Sequence, residues 1–199
     1  MGQRSQIYIR IKDKYNKTSF YAKYYQWNYG ERMISRARHG IEYIKNMVED
    51  EFLGLESTRE QVNRIFDVNF DMHDIMITHD LIKEWGEYGG KEDKISLNYY
   101  VFNADNNDGR LFIDVDENKK TIKYCFTDYD NKILSSPHAY MDWDYEDWLK
   151  SEYLSDKARE ICVKNMQYIE NNAILMTQDE LDEYLNYDYE SLLGEIPKF

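Results

Sequence analysis

The feature that most constrains the fold is a change of hydrophobic period near residue 28. In "QIYIRIKD", Ile7, Ile9 and Ile11 alternate with Tyr8, Arg10 and Lys12, and "SFYAKYYQW" repeats the alternation after the turn-like "KYNKT". A period of two is that of a strand with one buried face, so the two runs predict a β-hairpin with a basic, aromatic outer face. Then Ile34, Ala37, Ile41, Ile44, Val48 and Phe52 recur at steps of three and four, the stripe of a long amphipathic helix. Asn28 and Glu31 stand at capping-box spacing ahead of it, and Gly54 is the expected stop.

Further along, residues 57 to 88 predict two helical pieces ended by Gly89 and Gly90. "SLNYYVFN", "GRLFIDVD" and "TIKYCFTDYD", separated by "ADNND" and "ENKK", predict an antiparallel meander. After Pro137 the pattern turns helical and acidic. Ala158, Ile161, Cys162, Met166, Ile169 and Ala173 share one face of a helix starting at Ser155, and Thr177 with Glu180 caps another carrying Leu181, Tyr184 and Leu185. The expected architecture is α+β: an antiparallel sheet of about five strands, made of the N-terminal hairpin and the central meander, with a long N-terminal helix on one side. Residues 1–139 form the core domain and residues 140–199 an acidic, tyrosine-rich helical subdomain packed on it.

Charge carries the functional information. The net charge is −13, which opposes approach to nucleic acid or an anionic membrane. Residues 1 to 45 hold ten Lys/Arg against three acidic residues, net +7; the remaining 15 basic and 35 acidic residues leave −20. Such a dipolar chain can associate with itself, bind a basic partner, or simply be well solvated. Cys125 and Cys162 lack the spacing of a thiol pair or zinc knuckle and read as reduced, buried thiols of a cytoplasmic protein. No stretch approaches the ~20 apolar residues of a membrane helix.

Catalytic signatures are scarce. "ADNNDGR" has Ala104 and Val115 where an EF-hand needs carboxylates, and "DVDENK" has Lys119 where it needs glycine, so both read as hairpin turns. Phosphate-loop, dinucleotide, zinc-hydrolase and serine-hydrolase motifs are absent. His73, Asp74, His79 and Asp80 in "DMHDIMITHD" offer two His-Asp pairs to a divalent metal, but their six-residue offset shares no helical face, and no metal or other cofactor is expected. His39 and His138 have no partner evident in sequence.

Two binding surfaces remain. "YMDWDYEDWLKSEYL" interleaves aromatics with carboxylates, and Asp142, Trp143, Asp144, Tyr145, Glu146, Asp147 and Trp148 form a candidate partner-binding surface: aromatic contact area beside negative charges spaced like those of a nucleic-acid backbone. An amphipathic helix with Trp143, Leu149 or Trp148 packed inward and its carboxylates solvated accounts for the same residues. Arg10, Lys23, Arg32, Arg36 and Arg38 form a candidate anion-binding set, for a nucleotide or nucleic acid, unless they neutralise carboxylates of the same chain.

The run "MGQRSQIYIR", followed by "YYQWNYGERMISRARHGIEYI", resembles the start of uncharacterised small proteins of phages and prophages of low-GC Gram-positive bacteria. The resemblance covers the first quarter of the chain and transfers no functional residue. With the net charge, it implies an acidic protein that binds and inhibits a host nucleic-acid-handling or defence complex in the host cytoplasm, as CRISPR inhibitors do by mimicking nucleic acid. The alternatives are a small-anion, nucleotide or nucleic-acid binding module on the arginine set, a metal-dependent enzyme at the His-Asp pairs, and a homo-oligomer joined by opposite charge.

Overall fold

A computed structural model describes residues 3–26, 28–49 and 107–187. The predicted hairpin is present: β1 (Arg4–Lys12) runs antiparallel to β2 (Thr18–Gln26), with Arg4 opposite Gln26 and Lys12 opposite Thr18. Its turn is built by Asp13, whose carboxylate accepts the N–H groups of Tyr15 and Lys17 at 2.8 Å each, and by Asn16 in the left-handed region at φ 61°. β3 (Arg110–Asp116) and β4 (Thr121–Thr127) form the second hairpin through "ENKK", with Lys120 at φ 50°. The run "SLNYYVFN", the helices expected over 57–88, Phe52 and Gly54 lie outside the described residues.

The two hairpins join in a way that period alone does not predict. β3 lies parallel to β1, with Gln6 beside Arg110 and Lys12 beside Asp116. The far edge of β4 is shared by two short strands, β5 (Ile133–Leu134), antiparallel, and β6 (Ile174–Leu175), parallel. The six strands of the described residues make one sheet, ordered β2-β1-β3-β4-β5, with β6 also on β4. The protein is α+β, and its sheet is antiparallel within each hairpin and mixed overall.

Four α-helices accompany the sheet among the described residues: α1 (Glu31–Glu49), α2 (Pro137–Asp144), α3 (Asp156–Asn172) and α4 (Gln178–Leu185). One sheet face, with Ile7, Ile9, Ile11, Leu111, Ile113, Val115 and Phe126, buries against Ile34, Ala37, Ile41, Ile44 and Val48 of α1, Tyr140 and Met141 of α2, and Cys162, Met166 and Ile169 of α3. Each Ile, Leu, Val, Phe or Met among them contributes about 1.5–3 kcal/mol on removal from water. Ile161, placed on the buried face of α3 by its spacing, is instead 47% exposed.

The other face departs from expectation. The basic, aromatic side of β1 is not solvated: Tyr8, Phe112, Cys125 and Ala22 form a second core with Met176 and with Leu181, Tyr184 and Leu185 of α4. Tyr8 stacks on Phe112 at 5.0 Å, and Tyr184 meets Phe112 edge-on at 5.5 Å. α4 is set by the predicted capping box, Thr177 Oγ1 accepting from Glu180 N and Glu180 Oε2 from Thr177 N. The sheet is therefore buried on both sides, and α2, α3 and α4 complete its two cores. Both cysteines are free and buried.

Candidate partner-binding surface

Ser136 caps α2 by accepting from Ala139 N at 3.0 Å, with Pro137 in the first helical turn. The helix then ends sooner than "YMDWDYEDWLKSEYL" suggests. It stops at Asp144, where Tyr145 leaves the helical region at φ −140°, ψ 86°; Asp147 then adopts a left-handed φ of 55° and opens only a 3₁₀ turn, Trp148–Lys150. This corrects the amphipathic-helix reading, and it sorts the seven candidate residues by depth.

Trp148 is 1% exposed and packs in the main core, its Nε1–H donating to Asp142 Oδ1 at 3.1 Å. It is an anchor and cannot be a contact side chain. Trp143 is half-buried, 5.9 Å from the exposed ring of Tyr129, and Tyr145 shares a hydrogen bond with Ser151 at 2.8 Å. Leu154 is a second buried anchor, and Arg159 of α3 donates to the Ser151 carbonyl at 2.8 Å. Between these anchors the turn presents Leu149 at 58% and Tyr153 at 94% exposure. Asp142, Glu146, Asp147 and Glu152 are all exposed around them, with Lys150 3.2 Å from Asp147. Apolar contact groups rimmed by charge, on a backbone pinned from beneath, match the anatomy of a protein-binding patch.

Asp144, the remaining member, points inward and meets Asp108. The two residues meet at the Tyr140 hydroxyl, close enough for each carboxyl to shift the other. Asp144 Oδ2 accepts Gly30 N–H at 2.6 Å and lies 3.1 Å from the Tyr140 hydroxyl, which also reaches the Asp108 carbonyl at 2.9 Å. Asp108 Oδ2 in turn accepts Arg4 N–H. Burial raises both carboxyls above the ordinary aspartate range; for Asp144 the charge of Asp108 adds to it, while the Gly30 and Tyr140 hydrogen bonds oppose it. Burial and both carboxylates push the Tyr140 hydroxyl far up as well, so it stays a donor. The head of α1 is thus capped from 114 residues away. Asn28, expected to cap it, instead donates to Ser5 Oγ at 2.8 Å and accepts from Arg36 Nε at 2.9 Å.

The anion-binding set does not converge. Arg10 lies on the α4 side of the sheet, bound through Nε and Nη2 to the Asp114 carboxylate at 2.7 and 2.8 Å and placed over the rings of Tyr184 and Tyr187 at 4.6 and 5.3 Å. The helix arginines belong to the opposite side: Arg36, 4% exposed, lies 4.0 Å over the Tyr25 ring, and Arg32 lies over Tyr29. Arg38 pairs with Glu42 at 2.8 Å and covers Tyr168. Lys23 stands opposite Ile7 in the β1–β2 register. These arginines serve as packing and pairing groups across two faces.

His73, Asp74, His79 and Asp80 lie outside the described residues. Among the described residues no group of three or more His, Cys, Asp or Glu could hold a metal ion. His138 is exposed, 6.2 Å from Trp148, and His39 lies 6.4 Å from Tyr43. No described helix is long and apolar enough to cross a membrane. Asp108 and Tyr140 were not singled out by their sequence context; the only local signal is Gly109, whose φ of +80° sets the chain beside them. No protein-family model, no curated protein and no solved structure matches the chain.

Proposed function

We propose that the protein is an acidic binding protein whose turn at Asp142–Tyr153 occupies a cationic, nucleic-acid-handling surface of a host defence complex and inhibits it. One observation carries the reading: Leu149 and Tyr153 stand 58% and 94% exposed among four exposed carboxylates, on a turn anchored by the buried Trp148 and Leu154. Exposed leucine and tyrosine on a backbone held in place offer contact area at little entropic cost. The carboxylates select a basic partner and speed the encounter, helped by the net charge of −13. A phosphate backbone is disfavoured as the partner by the same charge.

The test is retention of host proteins by the tagged chain from nuclease-treated lysate of a low-GC Gram-positive host, compared with the variant Asp142→Asn, Glu146→Gln, Asp147→Asn. A nucleic-acid-handling complex held by the parent chain, lost from the variant, and released by raised salt supports the proposal. Equal retention by both chains refutes the surface.

A further inference from the structure

The carboxyl pair of the buried Asp108 and the half-buried Asp144 sits where four elements meet, and binding to a partner uses none of it. Asp144 ends α2 and accepts the amide at the head of α1; Asp108, just ahead of β3, accepts the first amide of β1; Tyr140 bridges both. We infer that Asp108 and Asp144 form a proton-dependent latch: holding a proton between them, they tie the start of β1 and the approach to β3 to the end of α2, and loss of that proton to solvent sets the two carboxylates against each other and loosens the tie.

The crowding favours a shared proton. One hydroxyl, that of Tyr140, lies 2.9 Å from the Asp108 carbonyl and 3.1 Å from Asp144 Oδ2, and two ionised carboxylates gathered there repel each other where water screens them poorly. The donors facing them, Gly30 N–H, Arg4 N–H and the Tyr140 hydroxyl, are neutral. Charged or titratable side chains on the elements packed there are Arg4 on β1, Glu31 and Arg32 opening α1, Arg110 on β3, Asp128 after β4, Asp142 and Tyr145 beside Asp144, and Cys162 on α3, within electrostatic reach of Glu31. Arg110 turns to the other sheet face, where it donates to Gln6 Oε1 and Asn131 Oδ1 at 3.0 Å each.

The consequence reaches the surface, because Asp144 is followed at once by the turn carrying Glu146, Asp147 and Leu149. The latch sets the seat of that turn, yet its own test needs no partner. Groups that hold protons more tightly folded than unfolded stabilise the fold fully below their unfolded value, 3.8, and lose that stabilisation as pH rises through about 6 for Asp108 and about 7 for Asp144.

Melting of the full chain is followed from about pH 5 to about pH 8.5, with Asp144→Asn and Asp108→Asn alongside. Each asparagine keeps an acceptor and supplies its own donor to the remaining carboxylate. The parent chain should lose at least about 2–4 °C relative to either variant across this range. Infrared difference spectra of the parent should show a protonated, buried carboxyl carbonyl near pH 6 that vanishes by about pH 8.5. Melting curves that keep a constant offset from both variants overturn the latch. So does the absence of that carbonyl band, which decides the matter even where a variant fails to fold.

Discussion

Gly109 offers the sharpest test of the packing that holds the surface in place. Its φ is +80°, and a Cβ built there falls 2.5 Å from the Thr127 carbonyl oxygen, 3.0 Å from Trp143 Cζ3 and 3.2 Å from Tyr140 Cε2. The first neighbour is backbone of β4, so it cannot rotate away, and the two rings are held between the sheet and α2. Gly109→Ala therefore combines backbone strain of about 1–3 kcal/mol with an overpacking cost of similar size. A loss of about 3–5 kcal/mol follows. Gly30 is the internal control: its φ is +49°, but an added Cβ meets only Met141, at 3.7 and 3.9 Å, which is ordinary contact. Gly30→Ala should cost about 1–2 kcal/mol, the left-handed penalty alone. Denaturant unfolding at a pH where the carboxyl pair is protonated measures both. In melting temperature the pair should separate as a drop of about 2–8 °C for Gly30→Ala against about 6–20 °C for Gly109→Ala, about two- to threefold larger at the same conversion. Equal losses would refute the close approach of β4 to Gly109 on which the seating of α2 depends.

Other expectations follow from the same structure. Trp148→Ala empties a core site and leaves Asp142 without its indole donor, so it should cost about 3–5 kcal/mol in denaturant unfolding, with Trp148→Phe costing less. Arg10→Lys loses the paired bonds to Asp114 and the stacking on Tyr184 and Tyr187. A loss of about 1–3 kcal/mol is expected, with α4 the first segment cut in limited proteolysis. Leu149→Ser with Tyr153→Ser should leave the melting temperature within about 2 °C, since both side chains are exposed, while weakening partner retention; a large drop in melting temperature would show that these residues pack inward.

Much of the fold was legible where neighbours in the chain are neighbours in space. Both hairpins, the buried stripe of α1, the Ser155 start of α3 and the Thr177–Glu180 box of α4 rest on contacts a few residues apart. What was hidden rests on long-range pairing. The parallel seam of β1 and β3 joins residues 104 apart, as Arg10 and Asp114 illustrate, and once α4 covers β1 its alternating pattern is buried on both sides. An alternation of isoleucine with arginine and tyrosine looks half-solvated because the sequence does not reveal that Asp114 and Tyr184 wait to receive Arg10. The early end of α2 is hidden for a local reason: neither Tyr145, which leaves the helical region at φ −140°, nor the left-handed Asp147 after it carries a marker such as glycine or proline. In the candidate surface, the exposed carboxylates were readable from composition, whereas the inward turn of Asp144 and Trp148 depends on Asp108 and on the core.

The most direct measurement is a competition titration: RNA-guided DNA binding and cleavage by defence nucleases of low-GC Gram-positive bacteria, with increasing amounts of the parent chain or of the Asp142→Asn, Glu146→Gln, Asp147→Asn variant, at two salt concentrations. The account predicts that the parent chain displaces DNA from one such complex, that added salt weakens the displacement, and that the variant, folded and equally stable, displaces at least about tenfold less, the effect of a 1.4 kcal/mol loss. Equal displacement by the two chains, or no displacement from any such complex, would contradict it.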